Sequence, residues 1–403
     1  MATRVQSPPG RPSMRHGSSR YRHSRSSLYV AHTPSLEPIT TPDEDEDADE
    51  STVSSTPDSP PTSPSPGHGQ ESSSSSTDES SPPYKIAAAP LTDGVGLFAT
   101  RAISKGTIVL CEAPMFTQPS PPTRTNSTVM AALSQCTRDE QRQYFNLANA
   151  HKSKGSGAPG TQPVLPALGI FETNALPCGK TRSGRRAGVF LTAARLNHSC
   201  RPNLARSWDE TSQQMAFRAL RDVAEGEELC LNYVDVIGTR AQRTEELQSA
   251  YGFECVCEAC ALGFEELAES DRRRAAIRRL FEEVAVCGNE PTLGLRKVRS
   301  FVIDWLRRCS RGSYVQVKLA LQLLKEEELV HYEASFCFDG FQFCILVSDF
   351  VNAKAWIRKA WEASCNTSGP DSPASRAFKM YWANPRAHEL AGVLPRATLH
   401  GPD

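Results

Sequence analysis

Arg195-Leu196-Asn197-His198-Ser199-Cys200-Arg201-Pro202-Asn203 is the stretch on which the reading of this chain turns. It gathers polar side chains, a thiol and a proline directly after the apolar run Val189-Phe190-Leu191. A short helical turn over 191–196 leads into it, and Pro202-Asn203 closes it with a turn. A lone Asn-His pair is ordinarily structural. Here Cys200 stands two residues on, a turn follows, and the apolar run offers a buried foundation, which makes Asn197 and His198 candidate ligand-binding residues. Downstream come Gly226-Glu227-Glu228-Leu229-Cys230-Leu231-Asn232-Tyr233 and then Phe253-Glu254-Cys255-Val256-Cys257-Glu258-Ala259-Cys260.

The bulk properties narrow the classes. A chain of 403 residues supports one or two domains with an ample core. A net charge of -1 argues against a chain built as a whole to bind nucleic acid or acidic membranes. No apolar run approaches the roughly 18 residues of a membrane span. The N-terminus lacks the apolar core of a secretory signal, so export is not expected and nucleus or cytoplasm is the default. Thirteen cysteines, an odd number, suit a reducing compartment with some thiols on metal and the rest buried.

Residues 1–83 read as a disordered Ser/Pro-rich tail, too polar to offset its conformational entropy. Arginines without acids open it, and Asp43-Glu44-Asp45-Glu46-Asp47 follows. Pro8, Pro9 and Pro12 spoil an amphipathic presequence helix, which leaves a solvated linker with Ser-Pro sites at Ser59, Ser63 and Ser65. Order is expected from Tyr84: a strand at 84–87, a turn at Thr92-Asp93-Gly94-Val95-Gly96, an apolar run at 97–103, a turn at 104–106 and a strand at 107–110. An insert at about 117–168 reads as a helix over 129–150 and a Gly/Pro loop over 153–166. Gly169 to Leu176 reads as a strand with Asn174 near its end, and Thr181 to Arg186 as an exposed basic loop. Two short alternating runs lie between 205 and 220, and the acids Glu225, Glu227 and Glu228 read as exposed turn residues. Helical apolar spacing returns over 267–286, 292–309, 314–332 and 341–365. Arg272-Arg273-Arg274 and Arg278-Arg279 read as a solvated stripe, Trp305, Trp356 and Trp361 as core, and 385–403 as a loosely ordered tail.

Cys255-x-Cys257-x-x-Cys260 supplies three thiolates within six residues. Closed zinc sites are tetrahedral, so a fourth ligand must come from elsewhere in the chain. Three free thiols are the competing reading. Cys111, Cys136 and Cys178 read as ordinary buried thiols.

The quoted stretch resembles the Asn-His-Ser-Cys-x-Pro-Asn segment of SET domains. Gly94-Val95-Gly96-Leu97-Phe98-Ala99-Thr100-Arg101-Ala102-Ile103-Ser104-Lys105-Gly106 resembles their opening, and Glu112 sits where they usually carry a glutamate. The likeness is to the fungal-type, MYND-less relatives of the SET-and-MYND group: the insert holds only Cys136 and no zinc-binding MYND module. The resemblance implies an α+β fold, a SET β-fold of small sheets with a pseudoknot over 84–254. A post-SET zinc segment at 255–261 and a C-terminal α-helical lobe at 262–384 would follow. It implies S-adenosylmethionine (SAM) as methyl donor, contacted by Gly94, Val95, Gly96, Leu97, Asn174, Leu196, Asn197, His198, Tyr233, Tyr251 and Phe253. Tyr233 takes the catalytic place. Cys200 joins Cys255, Cys257 and Cys260 on a structural zinc, with His198, the alternative ligand, given to SAM. The expected activity is SAM-dependent protein-lysine N-methylation of a histone or non-histone substrate. Two other readings compete: a catalytically silent SET scaffold that binds a protein partner on its helical lobe, and a purely structural zinc protein. No membrane contact and no direct nucleic-acid binding are expected.

Overall fold

The computed structural model describes residues 81–90, 94–151, 165–181, 184–288 and 313–402. The expected N-terminal tail up to residue 80, the loop over 153–164, the helix over 292–309 and Trp305 lie outside these residues. Three small sheets make the β-half. The first has the order β1-β2-β10-β7, from Tyr84–Ala88, Val95–Ala99, Glu228–Leu231 and Asn197–His198. The second is β3-β9-β8 (Ile108–Glu112, Gln214–Ala219, Leu204–Asp209), and the third β4-β6-β5 (Phe116–Pro119, Gly184–Val189, Leu176–Thr181). Alternation explains β9: Met215, Phe217 and Ala219 are buried while the residues between them are half-buried. With Leu97, Phe190, Leu196, Leu204, Leu229 and Leu231 they form the SET-side core beneath the quoted stretch.

β10 runs antiparallel to β2 but parallel to β7. Parallel neighbours need a crossover, and the β8–β9 hairpin provides it. Topology thus brings Asn197 beside Cys230 and His198 beside Leu231. The cofactor glycines depart from expectation. β2 already begins at Val95, so Gly96 is a strand residue and not part of a turn.

The insert is two short helices, α1 (Asn126–Leu133) and α2 (Arg138–Phe145), where one was expected. Thr137 breaks the run: its hydroxyl accepts from the Glu140 N–H and the Glu140 carboxylate accepts from its backbone, a capping box that starts a new helix. The expected strand at 169–176 is instead largely helical, α3 (Pro166–Asn174). Pro166 presets the first turn, and Ala167, Ile170 and Phe171 recur at helical spacing against Val129, Leu133 and Tyr144. Thr181 and Gly184 to Arg186 are hairpin strand and not loop, and Thr181, Gly184 and Arg185 are exposed as expected.

After α4 (Arg240–Ala250) the helical lobe comprises α5 (Phe264–Gly288), α6 (Ser313–Glu326), α7 (Glu333–Leu346), α8 (Phe350–Ser368) and α9 (Pro373–Ala383). The periodic run over 341–365 is broken at Asp349, whose carboxylate caps α8 through the Asn352 N–H. Trp356 on α8 is fully buried. The end of the chain is not loose: backbone N–H groups of Gly392, Leu394 and Ala397 donate to Ile345, Leu346 and Val347, and the Trp356 indole donates to the His400 carbonyl. The arginine stripe is solvated only in part, at Arg272 and Arg279. Arg274 and its partner Glu327 are both fully buried, and Arg278 pairs with Asp235. The reason is that α5 turns this face toward the SET half, where an unpaired charge would be costly and an acid is supplied.

Candidate active site and cysteine cluster

The segment 195–203 is fixed from both ends. At its entrance the Glu112 carboxylate accepts the N–H groups of Thr192 and Ala193 at 2.8 and 2.9 Å, holding the short helical turn Ala193–Arg195. Burial raises the Glu112 pKa, although these bonds oppose the rise. At its exit Asn203 is buried. Its Oδ1 accepts the Cys230 N–H at 2.8 Å, and its Nδ2 donates to the Glu228 carbonyl at 2.8 Å and the Glu227 carboxylate at 2.9 Å. Glu227 is therefore a clamp and not a free turn acid. Between the two ends the Ser199 N–H donates to the Leu231 carbonyl.

Asn197 then reaches back across the sheet. Its amide nitrogen donates to the Val95 carbonyl at 3.2 Å and to the Glu228 carboxylate at 2.7 Å. The approach needs a glycine in β2: a Cβ on Gly96 would stand 3.1 Å from Asn197 Nδ2 and closer still to Glu228. Leu97 turns its side chain fully into the core, so any ligand contact there falls to its backbone.

Tyr233 stands two residues past the end of β10. Its hydroxyl donates to the Leu196 carbonyl at 2.6 Å, and its backbone N–H donates to His198 Nδ1 at 3.0 Å. Burial raises the phenol well above its ordinary pKa, so it stays neutral. The rings of His198, Tyr251 and Phe253 surround it at centroid distances of 5.4, 4.9 and 6.4 Å. α4 delivers two of them. It ends at Tyr251, and Gly252, at φ 76°, turns the chain so that Phe253 returns to the same cluster. The structure thus brings Val95 and Gly96 to Asn197, and Leu196, His198, Tyr251 and Phe253 to Tyr233. Asn174 joins neither group. It ends α3 and donates to the Ile170 and Ala148 carbonyls, two residues before Ala150, whose carbonyl borders Gly252.

His198 uses both ring nitrogens within the protein. Nδ1 accepts from Tyr233, so Nε2 carries the proton, 3.3 Å from the Cys200 sulfur. Burial pushes the imidazole down to about 4, leaving it neutral at physiological pH.

The sulfurs of Cys200, Cys255, Cys257 and Cys260 all lie within 4.8 Å of one another. None is in a disulfide. The Cys200 and Cys260 sulfurs are 3.6 Å apart, and tetrahedral Zn–S bonds of about 2.3 Å place sulfurs about 3.8 Å apart. The Cys200 sulfur and its other neighbours push the Cys255 thiol up, while the surrounding sulfurs hold Cys257 down as thiolate. Four soft donors in this arrangement fit zinc.

Residues 94–234 match the SET domain family. This chain contains a SET domain. Histone-lysine N-methyltransferase set5 of Schizosaccharomyces pombe is 29% identical over 322 residues, spanning 78% of this chain and 88% of that protein. Histone-lysine N-methyltransferase ASHR2 of Arabidopsis thaliana is 33% identical over 106 residues, 24% of this chain and 26% of the relative. Human histone-lysine N-methyltransferase SMYD3 is 32% identical over 102 residues, 24% and 23% of the two chains.

Some residues that hold the SET site together escaped the sequence reading. In the sequence Asn203 reads as a turn residue. Arg243 on α4 is 1% exposed and donates from Nε to the Cys200 sulfur at 3.1 Å. Arg274 donates to the Cys200 carbonyl at 3.3 Å and to the Val236 carbonyl. An isolated arginine in a helical run carries no local signal of such a role. For Asn203 the last position of the Asn-His-Ser-Cys-x-Pro-Asn segment was the available signal.

Proposed function

We propose that this SET-domain chain transfers a methyl group from SAM to a lysine side chain of a protein, histone or non-histone, with Tyr233 at the transfer site. One observation carries the reading. A neutral tyrosine hydroxyl, anchored on the Leu196 carbonyl, sits in a ring of aromatic side chains just past the strand that lies between Asn197 and Val95. The glycine-bearing strand and the Asn-His segment flank β10, and Asn197 reaches Val95 across it although 102 positions separate the two, which suits one ligand held by both. Gly94, Val95 and Gly96 would offer main-chain groups to it, with Leu196 and Asn197 opposite and Phe253 and Tyr251 as walls.

SAM supplies, when bound, an activated methyl on a sulfonium, so alignment is the main task left to the protein. The lysine must be neutral to attack, against a free pKa of about 10.4. A buried site lined by Tyr233, Tyr251 and Phe253 disfavours the charged form. The Leu196 carbonyl fixes the Tyr233 hydroxyl in orientation, and burial keeps its proton on. Cys200, Cys255, Cys257 and Cys260 would hold a structural zinc that keeps Tyr251 and Phe253 over the site. The likeness to set5 makes histones the first substrates to try and the nucleus the first compartment to examine. Among the described residues no helix is long and apolar enough to cross a membrane.

The test is transfer of labelled methyl from SAM into histones and whole-cell protein, with wild type beside Tyr233→Phe. Label in lysine that falls at least a hundredfold in the variant, with SAM binding retained, is the expected outcome. Full activity of Tyr233→Phe would remove that residue from the mechanism. Absence of transfer by wild type with SAM bound would favour a scaffold.

A further inference from the structure

A divalent ion held by four thiolates is left with a double negative charge, and burying it is costly unless cations stand nearby. The cluster here is built inside the protein: Cys200, Cys255 and Cys260 are 0%, 4% and 5% exposed. One guanidinium meets the sulfurs directly. Arg243 donates from Nε to the Cys200 sulfur at 3.1 Å, approaches the Cys260 sulfur with a second nitrogen at 3.6 Å, and spends its third on the Gly238 carbonyl at 2.6 Å. Among the described residues no carboxylate bonds to it, so its charge is directed at the two sulfurs. The neighbouring buried arginine, Arg274, differs. It bonds the Cys200 carbonyl but is itself paired with Glu327 at 2.8 Å.

We propose that Arg243 is the buried counter-charge of the four-cysteine site: two of the four thiolates are matched to a guanidinium fork, which halves the net negative charge of the metal-thiolate unit. This rests on the reading that the cluster binds zinc. The fork supports it, because a planar guanidinium can reach two sulfurs at once. The place of Arg243 in the chain supports it further. It leaves α4 one turn past the Thr239 cap, and α4 ends at Tyr251. The helix that carries the counter-charge therefore also carries an aromatic wall of the site, so metal occupancy and the position of Tyr251 are linked through one rigid element. As a positioning residue, Arg243 touches no reacting atom.

The full chain, as wild type, Arg243→Met and Arg243→Lys, is titrated with Zn²⁺ against a competing chelator and, separately, with Co²⁺ while the sulfur-to-cobalt absorption band is recorded. Arg243→Met keeps most of the volume and loses the charge. It is expected to bind Zn²⁺ about 10–100-fold more weakly, the usual effect of losing an outer-shell partner. Its band is expected to move to lower energy, because the thiolates lose their N–H donors. Arg243→Lys is expected to recover most of the affinity. Wild-type affinity and an unmoved band in Arg243→Met would overturn the counter-charge while leaving the zinc reading intact. Uptake of no metal by wild type would bring down the zinc reading, and the proposal with it. If Arg243→Met fails to fold, a folded Arg243→Lys with near-wild-type affinity supports the proposal. Failure of both variants would assign Arg243 to packing and overturn it.

Discussion

Asn203 and Gly96 show how single side chains decide this site. Asn203 makes three hydrogen bonds to β10 and its approach, across 24 to 27 positions of sequence. The motif names Asn203 as it names Asn197 and His198, but the resemblance implies a ligand role only for the latter two. The Asn203 clamp was not legible, because a turn asparagine and a buried clamp look alike until the partner strand is in place. Gly96 is the converse case: its need was expected from a turn, but close approach of Asn197 and Glu228 is what demands it. Gly96→Ala is expected to lower stability by about 1–3 kcal/mol and to weaken SAM binding at least tenfold, because the added carbon pushes Asn197 and Glu228 aside. Thermal melting and calorimetric SAM titration check this. Unchanged SAM affinity would remove β2 from the cofactor site.

The segment from Tyr251 to Cys260 has no regular structure of its own. Its position depends on Cys200, on Arg243 and on contacts with the lobe core. Chelation of zinc is therefore expected to free this segment, quench its burial of Tyr251 and Phe253, and abolish SAM binding. Hydrogen exchange across 251–260, with metal loss confirmed, measures it; protection and affinity both unchanged would show that packing alone suffices. The cysteine spacing was legible in the sequence. The nature of α3 was not, since Gly169-Ile170-Phe171 also fits a buried strand and short apolar runs do not separate the two. What decided it was Pro166 at the first helical position and a helix-spaced face that Val129 and Tyr144 could cover.

The two halves are joined through buried charge. Glu327, one residue past α6, accepts from Arg274 at 2.8 Å, from Arg273 at 2.7 Å and from Ser270 at 2.7 Å, and Arg274 passes on to the Cys200 carbonyl. Glu327→Gln leaves Arg274 uncompensated and is expected to cost about 3–5 kcal/mol, read as a lowered chemical-denaturation midpoint. A loss below about 1 kcal/mol would show the pair to be screened. The docked C-terminus adds an acid-sensitive contact. His388 is 8% exposed against Phe338, Phe341 and Tyr381, accepts the Leu390 N–H at Nδ1, and is pushed down to about 4 by burial. Unfolded, it takes up a proton near 6.5, so between these values the unfolded chain holds more protons and stability falls as pH drops. His388→Phe is expected to flatten the stability profile between pH 6.5 and 4. An equally steep profile in the variant would place the acid sensitivity elsewhere.

From the sequence alone came the SET resemblance, the Asn-His and Tyr233 positions, the cysteine spacing and the helical character of the lobe. Each is written in a few adjacent residues, by motif chemistry or by period. Tertiary structure alone decided which strands flank β10, that Gly96 must be bare, that Arg274 is buried within the arginine stripe, and that Arg243 stands against the Cys200 sulfur. These depend on groups tens of positions apart meeting where water is excluded. There an unpaired charge or hydrogen-bonding group costs far more than in solvent, so its partner has to come from a distant part of the chain.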